Sequence, residues 1–296
     1  MKASVIILSF TSDEIDNMSQ ALNLLPLLIE VEELNAALSG HDKELFLIVD
    51  LAKEERFLQA HLPGARLVTP AETQAGPPIP GFAPSDEQLT DIMQRIGLTP
   101  ESHVIVYDDE GGGWAGRFIW LLDEIGHTRY SYLDGGIHAW AAAGFPLESG
   151  KLSYPASDIE VHNTGAHSVL AEDILTSLEN RSLQIWDARS PKEYRGETVN
   201  AAKGGHIPGA RHYEWTSAMD QSRDLRLKPF EQILSELSAA GIDPKRDTIT
   251  HCQSHHRSGL TYLLGKLLQF KSIKAYPGSW AEWGNHAATP TETEAP

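Results

Sequence analysis

HLPGAR at residues 61–66 and HIPGAR at residues 206–211 are one six-residue turn written twice, 145 residues apart. Three further pairs follow the same order. LIVDLAKEERF (47–57) matches QIWDARSPKEY (184–194). VIVYDDEGGG (104–113) matches TITHCQSHHR (248–257), and LDGGIHAW (133–140) loosely matches AYPGSWAEW (275–283). Four matches in one order mark a duplicated domain. The repeat is a whole domain long, unlike the short period of a solenoid.

Within each copy, short apolar runs such as LFLIVDL and LQIWDA read as buried parallel strands. Each is followed by a charged helical segment and a glycine-proline turn. HVIVYD and TITHC are again strands, each leading through a loop into a helix. In the second copy that helix carries Leu260, Leu263, Leu264, Leu267 and Leu268, the spacing of one core-facing stripe. Alternating strands and helices predict an α/β fold, each copy a parallel sheet with helices on both faces. The reading places the first copy at 24–147, a polar Gly/Pro-containing linker at 148–165, and the second copy at 166–287. The tail AATPTETEAP is expected to be disordered. The opening MKASVIILSF has one lysine, a short apolar run and no small-residue cleavage site, and reads as an extension rather than a secretory signal.

Composition narrows the function. The net charge of −17 disfavours nucleic acid and anionic membranes, which require basic patches. No run reaches the roughly 18 apolar residues of a membrane span. The 296 residues hold one cysteine, so no internal disulfide forms; this suits a reducing, cytoplasmic compartment and leaves the thiol for chemistry.

That cysteine, Cys252, sits at the end of a strand, before a tight loop and a helix. Ligands bind at this carboxyl end of parallel strands. Converging backbone N–H groups, the helix N-terminus and Arg257 should each favour thiolate over thiol. The polar neighbours Gln253, Ser254, His255 and His256 argue against an inert core cysteine. No second cysteine or carboxylate lies at zinc-ligand spacing, so the two histidines are read as shaping the pocket or donating hydrogen bonds. His251 should point to the opposite face and is read as structural. Asp108 stands where the first copy would need its cysteine. A carboxylate cannot replace a sulfur nucleophile, so that copy is read as non-catalytic, a wall of the pocket. Its GGG run lacks the Gly-Lys-Ser/Thr of a phosphate loop. Asp187 either supports the loop, through its amides or an arginine, or caps the next helix. His206, Gly209 and Arg211 recur as His61, Gly64 and Arg66 in the copy without cysteine, which favours a structural role. Trp280 and Trp283 read as core aromatics. Trp114, in the first-copy loop, could reach across to cover the cysteine but is not read as a site residue.

The ordered set of Asp187, the HIPGA turn, the loop from Cys252, and Gly278-Ser279-Trp280 with Glu282-Trp283 resembles the two-domain rhodaneses, over about residues 24–283. The loop CQSHHRSG resembles that of bacterial thiosulfate sulfurtransferases. The resemblance implies two tandem rhodanese-like domains and a two-step transfer. Cys252 takes a sulfane sulfur from thiosulfate or a similar donor, the loop 253–257 holds the persulfide, and cyanide or a thiol accepts the sulfur. No metal or organic cofactor is implied. A thioredoxin-like or other protein acceptor is compatible with it.

Alternatives stay open. Cell-cycle-type phosphatases place five residues between cysteine and arginine; here four separate Cys252 from Arg257, a better fit to one sulfur atom than to phosphate. Mercaptopyruvate enzymes resemble this chain but read Cys-Gly-Ser-Gly, and carry an arginine where Glu193 precedes Tyr194. Mammalian-type thiosulfate enzymes use that arginine and a loop lysine, both absent here, so thiosulfate is a poor or surrogate donor on this reading. Glu193 would repel a donor carboxylate, while Arg189 and Arg195 lie near it in sequence. Asp187, Glu193 and Arg195 are thus candidate supporting residues. A non-enzymatic sulfur carrier is the remaining alternative.

Overall fold

The computed structural model describes residues 25–40, 43–180 and 182–294. The reading of MKASVIILSF falls outside them.

The first copy runs β1 (Leu28–Ile29), α1 (Val31–Ala37), β2 (Phe46–Leu51), α2 (Glu54–Gln59), β3 (Arg66–Leu67), α3 (Asp86–Arg95), β4 (His103–Asp108), α4 (Gly113–Glu124), β5 (Tyr130–Leu133) and α5 (Gly136–Ala142). The second runs α6 (Ala171–Asn180), β6 (Gln184–Asp187), α7 (Pro191–Tyr194), β7 (Arg211–His212), β8 (Met219–Asp220), β9 (Arg226–Leu227), α8 (Phe230–Ala239), β10 (Asp247–His251), α9 (Arg257–Leu267), β11 (Ser272–Ala275) and α10 (Ser279–Trp283).

The first sheet is parallel, in the order β1-β5-β4-β2-β3. The second is parallel, in the order β11-β10-β6-β7. A parallel bridge from Ser168 to Ala275 sits beyond β11, at the position that β1 holds in the first sheet. The two sheets therefore share one topology, as the repeat predicts. Both faces of the central strands are covered. Leu47, Val49, Val104 and Val106 enter one core cluster, while Ile48, Ile105 and Tyr107 enter another. Such period-two burial on two faces is what strands without polar alternation require, and each aliphatic side chain so buried contributes about 1.5–3 kcal/mol.

The repeated turn is built alike in both copies. His61 stacks on Phe57 and its Nδ1 lies 2.8 Å from the Phe57 carbonyl; His206 stacks on Tyr194 with the same 2.8 Å contact to the Tyr194 carbonyl. Each histidine backbone also forms a two-way bridge, to Glu148 and Glu292 respectively, and those carboxylates accept from Gly64 N and Gly209 N at 3.1 Å. These contacts account for the recurrence structurally.

Three features differ from the sequence expectation. The tail is not free as far as Glu294. Glu292 pairs with His206, and Lys203 Nζ donates to His286 O and to Thr289 Oγ1, because the turn offers backbone and ammonium partners. An antiparallel hairpin, β8–β9, was not foreseen; its Leu227 N donates to Asp134 in the first copy. Finally, α9 is not a one-faced helix. Ser258 to Gly265 are all buried, because α4 of the other copy covers the side that would face water. Glycines permit the crossing: a Cβ on Gly116 would lie 2.2 Å from the Gly259 carbonyl oxygen, and one on Gly259 would lie 2.4 Å from that of Gly113. The two copies consequently share one core cluster, which contains Phe118 and Leu122 from α4 and Leu260 and Leu264 from α9.

Candidate active site

Cys252 follows β10 directly, at the carboxyl edge of the second sheet, and is 1% exposed. Its carbonyl accepts from Trp280 N, and the Gln253 carbonyl from Ala281 N, so α10 anchors the start of the loop. His255 takes a left-handed φ of 57°, which turns the chain back and lets successive N–H groups converge. Ser258 Oγ donates to Cys252 Sγ at 3.4 Å and stands 2.8 Å from His255 Nδ1. A hydroxyl that donates to sulfur accepts from the ring, so His255 carries its proton on Nδ1.

The sulfur is sealed from solvent, yet its lining is polar. Burial alone would push the thiol up. The Arg257 charge, the Ser258 hydroxyl and the Ser258 and Ser254 amides outweigh it and hold the thiol below its ordinary value. His255 and His251 add no positive charge. Burial drives His255 well below the ordinary range and His251 down to about 4. The arrangement is that of a nucleophilic thiolate in an anion-stabilising cradle.

The other expected residues divide. Arg257 grips Glu193 in a two-pronged pair, 2.7 and 2.9 Å. Burial raises the Glu193 carboxyl, but Arg257 and the Ser190 hydroxyl bring it down to about 2. Glu193 is thus already answered by a cation, and the repulsion expected of it is largely cancelled. Asp187 does not cap α7; Ser190 does, receiving Glu193 N at 3.4 Å. Asp187 pairs instead with Arg189, at 2.6 Å to Nη2, and Arg189 lies over the Trp280 ring at 4.2 Å. This buried pair braces the floor beneath the loop, with His251 Nε2 3.5 Å from Asp187. Arg195, expected to support the site, is instead paired with Glu197 on the surface, because it ends the four-residue α7 and faces outward. Gln253 reaches the Asn200 carbonyl at 3.2 Å. His256 stacks on Trp114 at 3.9 Å, and its Nε2 is 3.0 Å from Glu110 Oε2, an ion-pair distance out of line for a hydrogen bond.

The model of the Rhodanese-like domain matches residues 30–143 and again residues 170–286. The chain belongs to the rhodanese family. A thiosulfate sulfurtransferase of Azotobacter vinelandii is 52% identical over 272 residues, 90% of this chain and 97% of that one. A thiosulfate sulfurtransferase of Pseudomonas aeruginosa is 45% identical over 269 residues, again 90% and 97%. Among solved structures, an anaerobic ergothioneine biosynthesis enzyme from Chlorobium limicola in complex with trimethyl histidine aligns at a TM-score of 0.79, over 91% of this chain and 71% of that one. At 22% identity this is a likeness of fold.

The first rhodanese-like domain keeps the cradle but fills it. The Asp108 carboxylate accepts from the backbone N–H groups of Glu110, Gly112, Trp114 and Ala115 at 2.8–3.0 Å. Where the second rhodanese-like domain presents a sulfur to its amides, the first presents its own carboxylate, so no incoming anion can enter there. This domain nonetheless borders the active loop: Trp114 covers His256, and a Cβ on Gly81 would lie 3.1 Å from the Ser254 carbonyl carbon. Three contributors escaped the sequence reading. Ser258 had a legible signal, one place after Arg257 at the start of a helix. Ser279, whose Oγ is 3.4 Å from Cys252 N, was legible only as part of the Gly278-Ser279-Trp280 mark, and Arg117, whose Nη1 is 3.4 Å from the His255 carbonyl, had no signal, because only the fold brings it near.

Proposed function

We propose that this protein transfers a sulfane sulfur from thiosulfate, or a similar donor, through a Cys252 persulfide to cyanide or a thiol. The observation that carries the reading is the lone thiol at the end of β10. It is held low by Arg257, Ser254 and Ser258 in a site dry enough to strengthen each of those interactions. The Cys252 thiolate attacks the outer sulfur of thiosulfate. The Cys–S bond to that sulfur forms as the donor's S–S bond breaks, and sulfite leaves with the bonding electron pair. An acceptor nucleophile then attacks the outer persulfide sulfur; with cyanide the product is thiocyanate, and the thiolate is restored. The loop 253–257 cradles the anion at both stages. No redox partner is consumed in the cyanide reaction.

Both prongs of Arg257 are taken by Glu193, which disfavours a donor that must anchor a carboxylate, as mercaptopyruvate would. Thiols, including a thioredoxin-like protein, are the proposed cellular acceptors. The single thiol suits a reducing cytoplasm. Among the described residues no helix is long and apolar enough to cross a membrane.

Intact-mass measurement before and after thiosulfate tests the reading. A gain of about one sulfur, roughly 32 Da, removed by cyanide and absent from Cys252→Ala, is expected. No gain from thiosulfate or mercaptopyruvate sinks it.

A further inference from the structure

Arg117 lies on α4, in the domain that has no cysteine, and its side chain is fully buried. Nε donates to the Thr73 carbonyl at 3.0 Å and hydroxyl at 3.1 Å. Nη2 donates to the carbonyls of Thr73 and Phe82 at 2.6 and 3.0 Å, and Nη1 to those of Gly81 and His255 at 2.9 and 3.4 Å. Every acceptor is a neutral oxygen. Buried arginines almost always meet a carboxylate, because an uncompensated cation costs several kcal/mol. The Trp120 ring, 5.2 Å away, offsets only part of that cost. The glycine crossing brings the residue here: a Cβ on Gly259 would lie 2.5 Å from Arg117 N, and Gly259 is next to Ser258.

We propose that Arg117 is a positioning residue for the Cys252 centre, lent by the first domain, whose cation is a second counter-charge, beside Arg257, for the thiolate and the persulfide and whose bond to the His255 carbonyl holds the loop in place. The proposal rests on Cys252 being the nucleophile. Arg257 also lowers the thiol but divides its charge with Glu193, and Arg189 is paired with Asp187. His251 and His255 are held neutral, and His256 is beside Glu110. In support, burial brings the Arg117 guanidinium down to about 9, and the Cys252 charge acts in the opposite direction.

Because Cys252 is the chain's only thiol, alkylation by iodoacetamide followed across pH reports it alone. In Arg117→Met and Arg117→Gln the apparent thiol pKa should rise by about one unit, a roughly tenfold loss of thiolate below that pKa. Arg117→Lys, which keeps the charge, should stay within about half a unit of the parent. A folded neutral variant titrating like the parent overturns the proposal; so does a full-unit rise in Arg117→Lys, the variant that carries the test if the neutral ones do not fold. Sulfur uptake by the parent is measured separately. Failure there with the alkylation shift intact sinks the transfer reading and leaves the positioning role standing.

Discussion

Arg257 and Glu193 meet through two parallel N–H···O contacts, 2.7 and 2.9 Å, between the active loop and the short helix after Asp187. The loop's arginine therefore acts from a fixed position, with its charge shared between the Cys252 thiolate and a carboxylate. Breaking the pair should be costly, since each partner is largely buried. Glu193→Gln is expected to lower stability by about 3 kcal/mol. The same change leaves Arg257 free, and turnover with a carboxylate-bearing donor should rise relative to thiosulfate. Steady-state rates with both donors check the second effect, and an unchanged ratio would count against the pair as a specificity element.

The Glu193 pair also sets a pH window. Its folded carboxyl sits at about 2, below the ordinary glutamate value near 4.3, so its contribution is complete above the ordinary value and lost as pH falls toward the folded one. Urea unfolding of the parent and Glu193→Gln at pH 6 and pH 3 should show the stability gap narrowing at the lower pH.

Ser258→Ala removes the hydroxyl that donates to Cys252 and leaves His255 Nδ1 without its acceptor. A hydrogen bond to a charged group is worth roughly 1.5–3 kcal/mol, so kcat/KM should fall about ten- to a hundredfold. The thiol pKa should rise with it. In the parent, activity should fall as pH drops through the lowered thiol value. The thiolate's contribution to stability should follow the same sign, complete above the ordinary thiol value near 8.5 and lost as pH falls through the folded one. A pH–rate profile in Ser258→Ala that matches the parent would remove the hydroxyl from the mechanism.

Gly116→Ala places a methyl 2.2 Å from the Gly259 carbonyl oxygen, which only separation of α4 from α9 can relieve. Overpacking of this kind costs about 1–3 kcal/mol. Thermal unfolding should show the loss. Sulfur uptake at Cys252 should slow as well, because the start of α9 carries Arg257 and Ser258.

Asp108→Ala would leave four backbone N–H groups without their acceptor. A loss of about 3 kcal/mol is expected, with sulfur uptake at Cys252 retained in the folded fraction. Asp108→Cys should acquire no persulfide from thiosulfate, since the partner charges stand only around Cys252. Peptide mass mapping after thiosulfate would detect one.

The duplication, the two parallel sheets and the place of Cys252 could be read directly from the sequence, because they depend on local order: repeated turns, apolar runs of strand length, and a cysteine between a strand and a helix. Tight turns and buried strands constrain residue type one position at a time. The direction of Glu193 and Arg257, the surface fate of Arg195, the pairing of Asp187 with Arg189 and the folding of the tail onto His206 were not legible. Each depends on which groups meet across elements distant in sequence. The same holds most strongly for Arg117, 135 residues before Cys252. Local pattern determines what each copy is; only the glycine-to-glycine crossing of α4 and α9 decides that a buried cation of one domain meets the His255 carbonyl in the active loop of the other. Charge interactions act through space and leave no periodic trace along the chain.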